Sequence, residues 1–270
     1  MKVRIFPSRL FAAAWAVAAT CACSTASHAG AFNQEARKGQ VIVTSNFSTA
    51  DDSFAPSGKL LPSSHFRKFE TTVLLEYGLT DWLQAIVKPA ITDMATRGPP
   101  GATYTGLGMT EAGLQARLLQ FDSTVVALQG TLRLPGSTNR TNPLLTGATR
   151  SEEDVRLLVG HAFDLGSWKS FVDLQVGYRW RSGGPDQWRV DATIGTRPVP
   201  WLLFMLQSFN TVSQSANSVV EPAMRQHKLQ LSGVYDFNAS WSAQLGVFGN
   251  VAGRSILAER GALAAVWYRF

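Results

Sequence analysis

Lys68-Phe69-Glu70-Thr71-Thr72-Val73-Leu74-Leu75-Glu76-Tyr77 is the stretch that decides the fold. Phe69, Thr71, Val73, Leu75 and Tyr77 alternate with Lys68, Glu70, Thr72, Leu74 and Glu76. Successive side chains of a strand point to opposite faces. A strand therefore gathers the three charges on one face and leaves apolar and aromatic groups on the other. A helix would scatter the same charges around its axis. Segments of about ten residues, apolar toward lipid and polar toward a lumen, are the units of a transmembrane β-barrel.

The pattern recurs in both directions from this segment. Ala112, Leu114, Ala116 and Leu118 alternate with Glu111, Gln115 and Arg117, and Val126, Leu128, Leu132 and Leu134 with Gln129, Thr131 and Arg133. Val155, Leu157, Val159 and Phe163 alternate with Asp154 and Arg156. Val172, Leu174, Val176, Tyr178 and Trp180 alternate with Asp173, Gln175, Arg179 and Arg181. Trp188, Val190, Ala192 and Ile194 alternate with Arg189, Asp191 and Thr193. Two more strands follow, Leu229–Phe237 and Trp241–Val251, and residues 39–49 supply one near the start. Residues 82–93 and 200–213 are apolar on both faces near one end, which leaves their orientation open. The segment 259–270 completes an expected set of about twelve strands.

Connections alternate in length. Short ones lie near 78–81, 121–124, 164–168, 197–200 and 237–240. Most of the others are longer and rich in Gly, Pro, Ser and Asn, at 50–65, 94–108, 136–152 and 214–225. Short periplasmic turns and longer external loops are the habit of outer-membrane barrels, and an even strand count returns the C-terminus to the periplasm. Ala264, Val266, Tyr268 and Phe270 share the outward face of the last strand. An aromatic terminus of this kind resembles the signal read by the barrel-assembly machinery. Tyr77, Trp82, Phe121, Phe163, Trp168, Trp201, Phe237 and Trp241 flank the short turns, where an interfacial girdle is expected.

Composition agrees. Hydrophobic residues make up 45% of the chain and charged residues 16%. No segment beyond the N-terminus holds 18 or more predominantly apolar residues, so no membrane helix is expected there. Lys2, Arg4 and Arg9, the apolar run Leu10–Cys23 and the small-x-small site Ser27-His28-Ala29 read as a cleaved signal peptide over 1–29. The barrel then occupies 30–270, starting at Gly30. Cys21 and Cys23 leave with the signal, so the mature chain holds no disulfide. A lipoprotein anchored at Cys21 or Cys23 is the competing reading, but the preceding residues lack the usual Leu of a lipobox. The formal charge of +6 falls to +3 on processing, 22 Lys+Arg against 19 Asp+Glu. This weak basic excess gives no reason to expect a nucleic-acid partner.

Sites of covalent chemistry are not expected. No HExxH or Cys-x-x-Cys motif occurs, and Thr105-Gly106-Leu107-Gly108 lacks the Lys and helix of a phosphate loop. No metal, cofactor or catalytic residue is therefore assigned. A Ser–His pair needs both groups on one face within hydrogen-bond reach. Val159 and Phe163 flank His161 at ±2, and Arg225 and Leu229 flank His227. His65 is expected in a long loop. A lipid hydrolase remains the least favoured reading.

The inward charges carry the functional expectation. Arg117, Arg133, Arg156, Arg179, Arg181 and Arg189 form a basic track, with Glu70, Glu76, Asp173 and Asp191 among the acidic residues lining the same lumen. Two outcomes stay open: a pore suited to anionic or sugar-like solutes, or internal neutralisation that fills a narrow lumen. Twelve strands fall between barrels filled by side chains and porins that enclose a channel.

Leu75-Glu76-Tyr77-Gly78-Leu79-Thr80-Asp81-Trp82-Leu83 is similar to a periplasmic hairpin of small bacterial outer-membrane barrels. It resembles the transporters named after the MetA pathway of phenol degradation, and related barrels encoded with exopolysaccharide genes. The resemblance implies an outer-membrane location, passage of a small solute or a part in exopolysaccharide export, and no catalytic residues. Expected partners are outer-membrane lipid and lipopolysaccharide, the assembly machinery, and a small solute or exopolysaccharide. A non-conducting accessory barrel is the alternative role.

Overall fold

The computed structural model describes residues 30–98, 101–145, 148–182, 184–213 and 223–270. The expected signal peptide and lipobox cysteines lie outside them, as does most of the expected loop 214–225. Twelve strands form one closed antiparallel sheet. They are β1 (Gly39–Phe54), β2 (Leu60–Gly78), β3 (Leu83–Lys88, continued by Ala90–Thr96) and β4 (Ala102–Leu107, continued by Thr110–Phe121). Then come β5 (Thr124–Leu134), β6 (Glu152–Leu165), β7 (Trp168–Arg181) and β8 (Gln187–Val199). The last four are β9 (Leu202–Ser213), β10 (Arg225–Asp236), β11 (Trp241–Arg254) and β12 (Ile256–Leu257, continued by Arg260–Arg269). Each strand pairs with its neighbours in sequence. The last pairs back with the first, Val43 facing Val266, so no edge remains open.

Local chemistry explains the interruptions. Pro89 has no N–H to give the ladder and splits β3, while its carbonyl still accepts from Val73 N–H at 3.1 Å. Bulges interrupt register in β4 between Arg117 and Leu119 and in the β10–β11 ladder at His227/Lys228. The β4 bulge turns both Leu118 and Leu119 outward.

The alternation sorts side chains between exterior and interior. In β7, Val172, Leu174 and Val176 are exposed, whereas Asp173, Gly177 and Arg179 are buried. In β9, Phe204 and Leu206 face out and Leu203 and Met205 face in, which fixes the orientation of a strand apolar on both faces. A contiguous exposed belt of Leu, Val, Ile and aromatic residues covers the outside. That belt suits contact with lipid rather than water.

Two expected loops are mostly strand. β1 and β2 continue to Phe54 and Leu60 around a turn at 55–59, and the β3–β4 ladder continues to Thr96 and Ala102. His65 accordingly sits in β2, bonded to Asp51 of β1 at 2.7 Å. The hairpins outrun the apolar band, so their polar sequence reads as loop although backbone pairing persists. Residues 30–38, Phe270 and the short turns lie at one end of the barrel, here the terminal end. The other is the loop end.

Candidate functional site

The barrel interior is layered. At the terminal end residues 30–38 turn into the lumen. Arg37 N–H donates to Gly78 O and Gly78 N–H to Lys38 O, tying the segment to β2. Gln34 N–H donates to Gln84 Oε1 at 2.7 Å, and Asn33 Nδ2 to the carbonyls of Trp82 and Gln115. Gln115 Nε2 donates to Gly30 O at 2.9 Å, and Ala31 N–H donates to Asp173 Oδ2 at 2.7 Å. Ala31 packs with Val125, Ala127 and Leu158, with Phe32 alongside. Gly160 makes room for that ring, since a Cβ there would stand 2.6 Å from Phe32 Cε2.

Beside this segment the inward faces are apolar. Ile42, Phe171, Leu203, Met205, Val234, Ala265 and Trp267 form a buried cluster that joins β1, β7, β9, β10 and β12. Near it Asp236 accepts from Arg197 at 2.6 Å and from Arg269 at 3.3 Å. Glu76, almost fully buried, accepts from Gln40 Nε2. The terminal end is thus largely occupied by protein.

Above it an ion-pair network covers the wall from β3 to β8. Asp154, 2% exposed, accepts from Arg156 at 2.6 Å, Arg179 at 3.1 Å and Arg189 at 3.4 Å. Glu152 binds Arg133, Arg181 at 2.8 Å and Arg179 at 3.6 Å. Asp191 binds Arg156 at 2.9 Å and Arg189 at 3.3 Å, and Glu111 binds Arg133 and Lys88, each at 3.0 Å. On the adjoining β2 Lys68 pairs with Glu70 at 3.2 Å, and on β10 Lys228 lies over the Phe248 ring at 4.0 Å.

At the loop end a cavity of about 360 Å³ opens above the network, bounded by Lys68, Glu70, Lys88, Glu111 and Arg133. The connection from β5 to β6 folds over it. Its short 3-10 turn, Pro143–Leu145, buries Leu145, and Asn142 Nδ2 donates to Thr103 O at 2.8 Å.

The interior therefore joins Arg133, Arg156, Arg179, Arg181, Arg189 and Asp191 in one network. Glu70 lies beside it on β2, accepting from Thr92 Oγ1 of β3 at 3.2 Å. Glu76 and Asp173 sit lower, within the packed terminal end. Arg117, two residues past Gln115, is half-buried there and has no ion pair among the described residues. Tyr268 and Phe270 face outward at the terminal end, where Tyr268 stacks with Phe270 at 5.8 Å and meets Trp241 in a tilted contact at 4.7 Å.

Two features escape the sequence reading. Glu152 is a hub of the network, and its signal was available: it lies two residues from Asp154 on the same face. The inserted segment 30–38 had no periodic signal. Of the histidines, His161 meets Thr124 Oγ1 at 2.9 Å and His227 meets Asn210 Oδ1 at 2.8 Å, and among the described residues neither is paired with a serine.

No family model matches the sequence, and no curated protein is detectably similar to it. Solved structures share its fold. An outer membrane channel from Pseudomonas putida F1 superposes with a TM-score of 0.70 at 15% identity, over 90% of this chain and 99% of that one. The NanC porin superposes with a TM-score of 0.53 at 8% identity, over 85% of this chain and 100% of that one. The translocator domain of the autotransporter NalP from Neisseria meningitidis gives 0.51 at 11% identity, over 89% and 91%. The fold is that of outer-membrane β-barrels.

Proposed function

We propose that the chain is a channel of the Gram-negative outer membrane, with its termini in the periplasm, that passes small polar solutes and favours anionic or sugar-like ones. One observation carries this reading. Among the described residues of the β3–β8 wall, Lys88 and five arginines pair with four carboxylates, Glu111, Glu152, Asp154 and Asp191. A solute entering from the loop-end cavity meets this surplus of positive charge. Low-dielectric walls focus its field along the path. Planar guanidinium groups suit carboxylates and other flat oxygen acceptors. The fold shared with the Pseudomonas putida channel and the NanC porin supports the reading. The segment 30–38 closes the periplasmic side, and conduction requires it to withdraw or shift. The belt of exposed apolar residues meets outer-membrane lipid and lipopolysaccharide, and the Tyr268–Phe270 terminus serves as the assembly signal.

A second reading has its own support. The filled terminal end fits a non-conducting barrel that serves an exopolysaccharide export system. Planar-bilayer recording separates the two. The mature barrel should give discrete, small conductance steps, and deletion of residues 31–36 should enlarge them. Electrical silence of both correctly folded forms would reject the channel and leave the accessory role.

A further inference from the structure

Asp173, like Glu76, is an interior carboxylate that the arginine network leaves out. It is 2% exposed and projects from β7 into the packed terminal end. Its Oδ1 accepts from Gln175 Nε2 at 2.7 Å, and its Oδ2 accepts from Ala31 N–H at 2.7 Å. Arg156 reaches it only indirectly, by donating to Gln175 Oε1 at 3.2 Å. Among the described residues no Lys, Arg or His forms an ion pair with it. A carboxylate this deeply buried is costly unless a cation joins it.

The backbone pressed against Asp173 is that of Gly30. An ideal Cβ on Gly30 would stand 2.3 Å from Asp173 Oδ2, and φ at Gly30 is +121°, so glycine alone fits there. The Gly30 nitrogen is one bond from the same Cα. Its carbonyl is held on the other side by Gln115 Nε2. The sequence places the small-x-small cleavage site Ser27-His28-Ala29 directly before this residue.

We propose that Asp173 is the binding site for the α-ammonium group that signal-peptide removal creates at Gly30. Hydrolysis breaks the Ala29–Gly30 peptide bond. Water supplies hydroxyl to the Ala29 carbonyl and a proton to the Gly30 nitrogen. The new amine takes a further proton from solvent, and an α-amino group is largely protonated at neutral pH. The precursor carries only a neutral peptide nitrogen at this point. Processing thus completes an internal ion pair that seats the N-terminal segment in the lumen. The pair rests on cleavage at Ala29, and it stands or falls independently of conduction.

The test is amine labelling of the mature barrel extracted from membranes in its folded state, with Lys59 in the exposed β1–β2 turn as the reference amine. Mass spectrometry first identifies the N-terminal residue, and a mature chain that does not begin at Gly30 overturns the proposal. The Gly30 amine of the folded protein should react roughly tenfold or more slowly than Lys59, because labelling requires local opening. Equal rates overturn the ion pair. Asp173→Asn keeps an acceptor for Ala31 N–H and removes the charge, so it should bring the two rates together. Retained protection in a folded Asp173→Asn barrel shows that Asp173 is not the anion and also overturns it. If that variant does not fold, the wild-type rates still decide the matter.

Discussion

Asp154 is the residue on which most of the interior charge converges. Three arginines share its carboxylate, and it is almost wholly removed from water. Removing one partner of a buried pair leaves the other charges uncompensated, at a cost of about 3–5 kcal/mol. Asp154→Asn should therefore destabilise the barrel by an amount near the lower end of that range, because Glu152 and Asp191 still hold the same arginines. Urea unfolding of the detergent-solubilised protein measures it, and an unchanged midpoint would show that the network contributes little. Arg197 and Arg269 present a smaller version of the same arrangement on Asp236. Exposed pairs such as Lys169–Asp164 stand apart from both, since such pairs contribute about 0–1 kcal/mol.

At the scale of elements, the segment 30–38 is held by side chains from β3, β4 and β7, and by a close approach to β6 at Gly160. Gly160→Val should expel the Phe32 ring. Limited trypsin digestion then cuts after Arg37 faster in the variant than in the wild type, while the strands stay resistant. Equal cleavage rates would mean that Phe32 does not anchor the segment. This element was not legible in the sequence. Its contacts are single hydrogen bonds to partners as distant as 142 residues, and no periodicity marks them. β2 was legible because its charges occupy one face of a regular alternation. β9 was only half legible: Leu203 and Met205 face inward beside Phe204 and Leu206 facing outward, and a rule of polar interiors assumes a water-filled lumen. The strand ends that reach Phe54, Leu60, Thr96 and Ala102 failed for the opposite reason, because strands that project past the lipid have no apolar face to announce them.

The whole molecule is a closed sheet with an apolar exterior, a charged middle and a packed terminal end. Closure removes both edges and satisfies the backbone within the sheet, which is what spanning lipid requires. The first and last strands meet at Val43 and Val266 on the outward face. Cysteines placed at both positions should form a disulfide that survives boiling, whereas the unmodified barrel should shift its migration on boiling. Failure of the pair to cross-link in membranes would argue against closure at this register. The proposed path for solutes depends on the sign of the interior. The most direct test is the reversal potential of the barrel lacking residues 31–36, measured in planar bilayers across a potassium chloride gradient. The six cations and four carboxylates paired among the described residues of the β3–β8 wall predict anion preference, weakened by Arg156→Gln. A cation-selective or unselective pore would contradict the account.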